Sequence, residues 1–159
     1  MRRLMLLRHA KSNWEDDTVS DHDRALNERG RDAAARMGAY MRDNGYLPAY
    51  VMCSGAKRTR ETLDRLDLGD GCEIDYRESL YLANSAELLN AIRQVPNRYA
   101  SLLVVAHNPG TEDLATGFGL SPEKYPTAAM GVFDFDGYWT QLPAVRVELV
   151  EFVVPSQLA

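Results

Sequence analysis

Cysteine is nearly missing from this chain: among 159 residues there are only Cys53 and Cys72. They form neither a C-x-x-C pair nor a metal-ligand spacing, which excludes a disulfide framework. That usage fits a reducing compartment. Long apolar runs are missing too, and no stretch approaches the ~20 apolar residues of a membrane span. Met1-Arg2-Arg3 followed by Leu4–Leu7 has the outline of a secretory leader, but Arg8-His9 cuts it short. We therefore expect a cytoplasmic protein with no membrane contact. Excess positive charge is absent as well: 18 Lys and Arg face 23 Asp and Glu, a net charge of −5. Nucleic-acid binders are ordinarily basic, so no nucleic-acid partner is expected. Any anion site on this acidic body has to be a local concentration of donors.

Repeats, low-complexity tracts and linkers are also lacking, and this length suits one domain over residues 1–159. What is present is alternation. Leu4–Leu7, Tyr50–Cys53 and Leu102–Ala106 are continuous apolar runs, the pattern of strands buried on both faces of a parallel sheet. Further strands are expected at Glu73–Tyr76, Ala128–Phe135 and Val145–Val154. Between them lie helical patterns. Asn27 caps one that runs to about Asn44, with Ala33, Met37, Tyr40 and Met41 on its apolar side. A second covers Ala56–Leu66. A third follows Asn84, whose partner Glu87 completes a capping box. A fourth begins near Thr111. The expected fold class is α/β: a three-layer α/β/α sandwich around a mainly parallel sheet.

Three strands end in polar residues. The first stops at Arg8-His9. The second runs through Ser54 into a helix bearing Arg58, and the third stops at His107-Asn108 before another helix. Parallel sheets bind ligands beyond the carboxyl ends of their strands, so these groups share one edge. Arginine forks match phosphate oxygens, and helix N-termini after Ser54 and Asn108 offer N–H groups. A histidine can take phosphorus covalently, and a second can donate to a non-bridging oxygen. Each residue has a plainer role: a lone strand-end histidine is ordinarily a structural hydrogen-bonder, and Arg58 beside Lys57 and Arg60 an ordinary surface charge. Three coincident strand ends favour the joint reading. A zinc site from His9 and His107 lacks motif spacing. His22, within Asp21-His22-Asp23, reads as a solvated loop residue.

Leu7-Arg8-His9-Ala10-Lys11-Ser12, Ser54-x-x-x-Arg58-x-x-x-Thr62 and Val105-Ala106-His107-Asn108-Pro109-Gly110 together resemble the histidine phosphatase superfamily, with its phosphoglycerate-mutase-like fold. The stretch Asp23–Gly30 and Pro126-Thr127-Ala128 look most like its SixA-type phosphohistidine phosphatase branch. Two departures stand out: Gly55 where a proline is common, and Ala25 where the first loop usually has one. The resemblance implies that His9 is the phosphorylated nucleophile, with Arg8, Arg58 and His107 completing the phosphate pocket. It implies no metal and no organic cofactor. Asn108 is a further candidate phosphate ligand. Glu78, just after the third expected strand, is the candidate general acid; its plainer role is a loop carboxylate pairing Arg77. The short span between Arg58 and His107 leaves no room for a roof, which favours a phosphoryl group on a protein side chain. The implied partner is a phosphohistidine protein, with a small phosphoester as the alternative and a non-catalytic phosphate-binding module as a third reading.

Overall fold

In the computed structural model, which describes residues 1–121 and 124–158, the apolar runs form the centre of a six-stranded sheet. The strands are β1 (Arg2–Arg8), β2 (Tyr50–Ser54), β3 (Glu73–Arg77), β4 (Ser101–Ala106), β5 (Met130–Phe135) and β6 (Val147–Val153). Four helices join them: α1 (Glu28–Asp43), α2 (Lys57–Leu66), α3 (Ser85–Arg93) and α4 (Gly110–Gly117). The strand order is β3-β2-β4-β1-β5-β6.

Leu4–Leu7 are each at most 1% exposed. Side chains alternate across a strand, so Leu4 and Leu6 face one layer and Met5 and Leu7 the other. Full burial of such side chains stabilises by roughly 1.5–3 kcal/mol each. Ordering the backbone costs about 1–2 kcal/mol per residue, so burial on both faces is what holds the strand. One layer is α3 and α4, whose Leu88, Ile92 and Leu114 pack on Leu4, Leu6 and Val104. The other is α1 and α2, whose Met37, Met41, Leu63 and Leu66 pack on Met5, Leu7 and Val105. These layers are the expected sandwich. β1, β2 and β4 pair in parallel, as does β3 with β2, whereas β5 runs antiparallel to both its neighbours. The apolar pattern of β5 reports burial and carries no information on direction.

The caps form as expected. Asn27 Oδ1 accepts from Gly30 N at 2.8 Å, and Asn84 and Glu87 bond each other's backbone N–H. Helix α1 differs in its buried face, which is Gly30, Ala34, Met37, Gly38 and Met41; Ala33 and Tyr40 lie at the margin. The glycines explain the rotation. A Cβ on Gly38 would collide with the Leu66 carbonyl at the end of α2, and one on Gly30 with the Lys11 backbone. Strand β5 starts later than expected because Ala128, at φ 60°, turns its N–H onto the carbonyls of Arg8 and His9.

Because the α1–α2 contact is backbone against backbone, Gly38→Ala should cost about 1–3 kcal/mol of stability, the usual range for overpacking. Urea unfolding checks this; a midpoint equal to wild type would show that the helices separate freely.

Candidate active site

β1 and β4 pair in register, ending with Arg8 opposite Ala106. The next residues are His9 and His107, and their ring centroids lie 5.4 Å apart. The chain leaves β1 toward the α1 layer and leaves β4 toward the α4 layer, so the histidines stand where neighbouring connections part. β2 flanks β4 on its other side. Its last residue, Ser54, puts Oγ 2.8 Å from His107 Nε2.

His9 is buried, and its Nδ1 lies 2.7 Å from the Ala10 carbonyl. A carbonyl only accepts, so Nδ1 carries the proton and Nε2 keeps its lone pair. Thr62 fixes this turn by accepting from Ala10 N at 2.9 Å. Burial lowers the His9 pKa to about 4, with the Arg58 and Arg8 charges adding to the effect against the Ala10 bond. The ring is therefore neutral, as a nucleophile must be. His107 has the opposite tautomer. Arg58 Nη2 lies 3.3 Å from its Nδ1, and a guanidinium only donates, so the proton is on Nε2, facing Ser54. Burial, reinforced by His9 and Arg58, lowers the His107 pKa to about 3.

Arg58 lies on the inward face of α2 with Thr59, Thr62 and Leu63, while Lys57 and Arg60 are exposed. Arg8 donates to the Tyr125 carbonyl at 2.9 Å, and its buried Nε has no partner among the described residues. Arg8, His9, Asp21 and Arg58 line one cleft of about 560 Å³. Trp14 and Leu82, 69% and 55% exposed, line it too. Asp21 is the only carboxylate among its described lining residues.

Several expectations need correction. Asn108 does not join the cleft: Nδ2 donates to the Tyr125 carbonyl at 3.2 Å and Oδ1 accepts from Glu112 N at 3.2 Å. One end of the amide ties the loop to α4 and the other ties it to the segment before β5. At the helix starts, three of the backbone N–H groups are already bonded. Ala56 N bonds Ser54 Oγ, Lys57 N bonds the His22 carbonyl and Thr111 N bonds the His107 carbonyl. His22 is not a free solvated residue: its Nε2 lies 2.8 Å from Glu78 Oε2, which raises the His22 pKa. Glu78 follows β3 as expected, but its side chain is 71% exposed and outside the cleft lining. Arg77 pairs with Asp75 rather than with Glu78.

Sequence reasoning missed Asp21 and Tyr81. The Asp21 carboxylate accepts from Arg58 Nη2 at 3.0 Å and from the Tyr81 hydroxyl, and its carbonyl accepts from Arg58 Nη1 at 2.7 Å. The Tyr81 bond foremost, with Arg58, holds the Asp21 carboxyl below the usual range against its partial burial. Tyr81 also stands edge-on to His107, with centroids 5.5 Å apart. A loop aspartate in an acidic run carries no signal of this; only the fold brings it to Arg58.

Two guanidinium groups, a neutral histidine with a free Nε2 and a second histidine form an arrangement chemically able to support phosphoryl transfer to nitrogen. Independent comparison agrees. Residues 4–81 match the family model of the histidine phosphatase superfamily (branch 1). An uncharacterized protein of Mycobacterium leprae is 33% identical over 162 residues, covering 94% of this chain and 99% of its own. Two solved structures are each 30% identical: proposed SixA phosphohistidine phosphatases from Agrobacterium tumefaciens (TM-score 0.85; 97% and 98% of the two chains) and Nakamurella multipartitia (TM-score 0.83; 97% and 96%). The chain belongs to the histidine phosphatase superfamily and is of its SixA type. Among the described residues no helix is long and apolar enough to cross a membrane.

In the unliganded protein, nitrogen-15 NMR should find both histidines neutral at pH 6, His9 protonated on Nδ1 and His107 on Nε2. His22, whose pKa the Glu78 bond raises, should be the one that gains charge as pH falls, at a pH above that of an ordinary imidazole. An imidazolium at His9 at pH 6 would contradict the assignment.

Proposed function

We propose that this protein is a cytoplasmic phosphatase that removes phosphate from phosphohistidine in a protein, through a phosphorylated His9. The observation that carries this reading is the His9 ring: tethered at Nδ1, neutral, and lining a cleft with both guanidinium groups. The Nε2 lone pair forms a bond to phosphorus while the substrate P–N bond breaks; the leaving ring, protonated on its other nitrogen, keeps the electron pair and departs as neutral imidazole. Arg8 and Arg58 balance the charge on the phosphoryl oxygens. Protonated once phosphate is bound, His107 would donate to one of these oxygens. Water then forms the new P–O bond, the bond to His9 breaks, and phosphate leaves. The positive charge this requires comes from the arginines, so the reaction asks for no metal.

The substrate class follows from the acid that is missing. An alkoxide leaving group needs a proton delivered by the enzyme; an imidazole already protonated on its other ring nitrogen leaves from phosphorus without one. Asp21 is kept ionised by Tyr81 and Arg58, and Glu78 lies outside the cleft lining. Between Arg58 and His107 the chain forms only β3, a short turn and α3, with no inserted roof. Both features favour phosphohistidine on a protein surface. Hydrolysis of a small phosphorylated metabolite is the second reading, and the His22-bound carboxylate of Glu78 is the feature that favours it.

Rapid alkaline quench of a turnover mixture should recover phosphate on His9, and His9→Ala should lose roughly 10³-fold or more in rate. Retained activity in that variant would rule out the intermediate. Glu78→Gln separates the two readings. Its rate on a phosphohistidine protein should match wild type, whereas a positioned acid would lose about 10²-fold on an alkyl phosphate. Efficient wild-type turnover of alkyl phosphates, with poor turnover of phosphohistidine, would favour the metabolite reading.

A further inference from the structure

The bonds of Arg58 bear on how a phosphoryl group enters the site. Nη1 donates to the Asp21 carbonyl at 2.7 Å and Nη2 to the Asp21 carboxylate at 3.0 Å, with His107 Nδ1 3.3 Å from the same Nη2. The guanidinium is thus paired with a carboxylate that lines the same cleft as His9. His107 lies behind it, only 1% exposed. A phosphoryl group that reaches His9 therefore meets Arg58 already engaged by another anion. Asp21 is itself steadied from outside, through the Tyr81 hydroxyl.

We propose that Asp21 is a positioning residue that competes with phosphate for Arg58: it pairs with the guanidinium, yields it to an arriving phosphoryl group, and takes it back as phosphate leaves. The proposal rests on the reading of Arg58 as a phosphate ligand. It follows from the charges present. The Asp21 side chain is 41% exposed, so its carboxylate can turn to water when displaced, whereas the Arg58 side chain is 6% exposed and cannot. The pairing also ties Arg58 to the state of His107. While Nη2 donates to Nδ1, that nitrogen is an acceptor. When Arg58 turns to phosphate, Nδ1 is free to take a proton and donate to a phosphate oxygen. Tight product binding would slow a phosphatase, and a carboxylate that reclaims the arginine assists release.

The test is the binding of inorganic phosphate, followed by calorimetry at pH 7, to wild type, Asp21→Asn, Arg58→Ala and the double variant. Asp21→Asn keeps the shape and the backbone bond but lowers the competition, so phosphate should bind roughly tenfold more tightly, the scale of one charge-assisted hydrogen bond. In the Arg58→Ala background the same substitution should change affinity less than about twofold, because the competed group is gone. Asp21→Ser should tighten binding in the same direction, and wild-type thermal unfolding of each variant confirms the fold. Unchanged or weaker phosphate binding in Asp21→Asn would overturn the proposal and mark Asp21 as a structural support. Equal tightening with and without Arg58 would overturn it in favour of general charge repulsion. Phosphate binding that is absent from wild type, or indifferent to Arg58→Ala, would instead remove the phosphate site on which it rests.

Discussion

The in-register pairing of β1 with β4 is the constraint on which the site depends. Parallel strands lie about 4.8 Å apart. Once Arg8 is opposite Ala106, the next residues have to emerge side by side. His9 and His107 come from positions 98 apart in the sequence, yet neither needs a loop to bring it to the other. A shift of one residue would turn every β1 side chain to the opposite layer, exchanging the Leu4–Leu6 and Met5–Leu7 contacts. The cores on the two faces thus lock the register, and the register locks the two imidazoles.

The proposed site would hold its anion on an acidic protein. Two arginines and two histidines are gathered within one edge of a chain with net charge −5. Burial keeps both imidazoles neutral, so the fixed positive charge belongs to the arginines alone. Their charge in turn helps to keep His9 unprotonated. In the proposed reaction, binding and nucleophilicity are thus two consequences of one arrangement. Around it, nearby polar groups are consumed in support: Thr62 holds Ala10, Ser54 holds His107, and Asn108 holds the start of α4.

Features governed by short-range rules were legible in the sequence. The central strands were continuous apolar runs because both faces are covered, and the Asn27 and Asn84 caps were readable because a cap is a contact over three residues. Arg8, His9, Arg58 and His107 stood at strand ends or four residues beyond. Long-range features were hidden. The direction of β5 depends on which neighbours it meets. The buried face of α1 turned on backbone contact at Gly38 with Leu66, which periodicity of large residues does not reveal. Asn108 had the right position for a ligand, but Tyr125 and the α4 backbone occupy its amide. Asp21 and His22 lay in an acidic loop with no periodicity, and only the fold paired them with Arg58 and Glu78.

The central claim is that the free nitrogen of His9 meets phosphorus inside a ring of donors built by three strand ends. A crystal structure with bound orthovanadate tests it most directly. The account predicts vanadium bonded to His9 Nε2, its oxygens receiving hydrogen bonds from Arg8, Arg58 and His107. Vanadate bound elsewhere, or seated in the cleft with His9 Nε2 pointing away from it, would contradict the account.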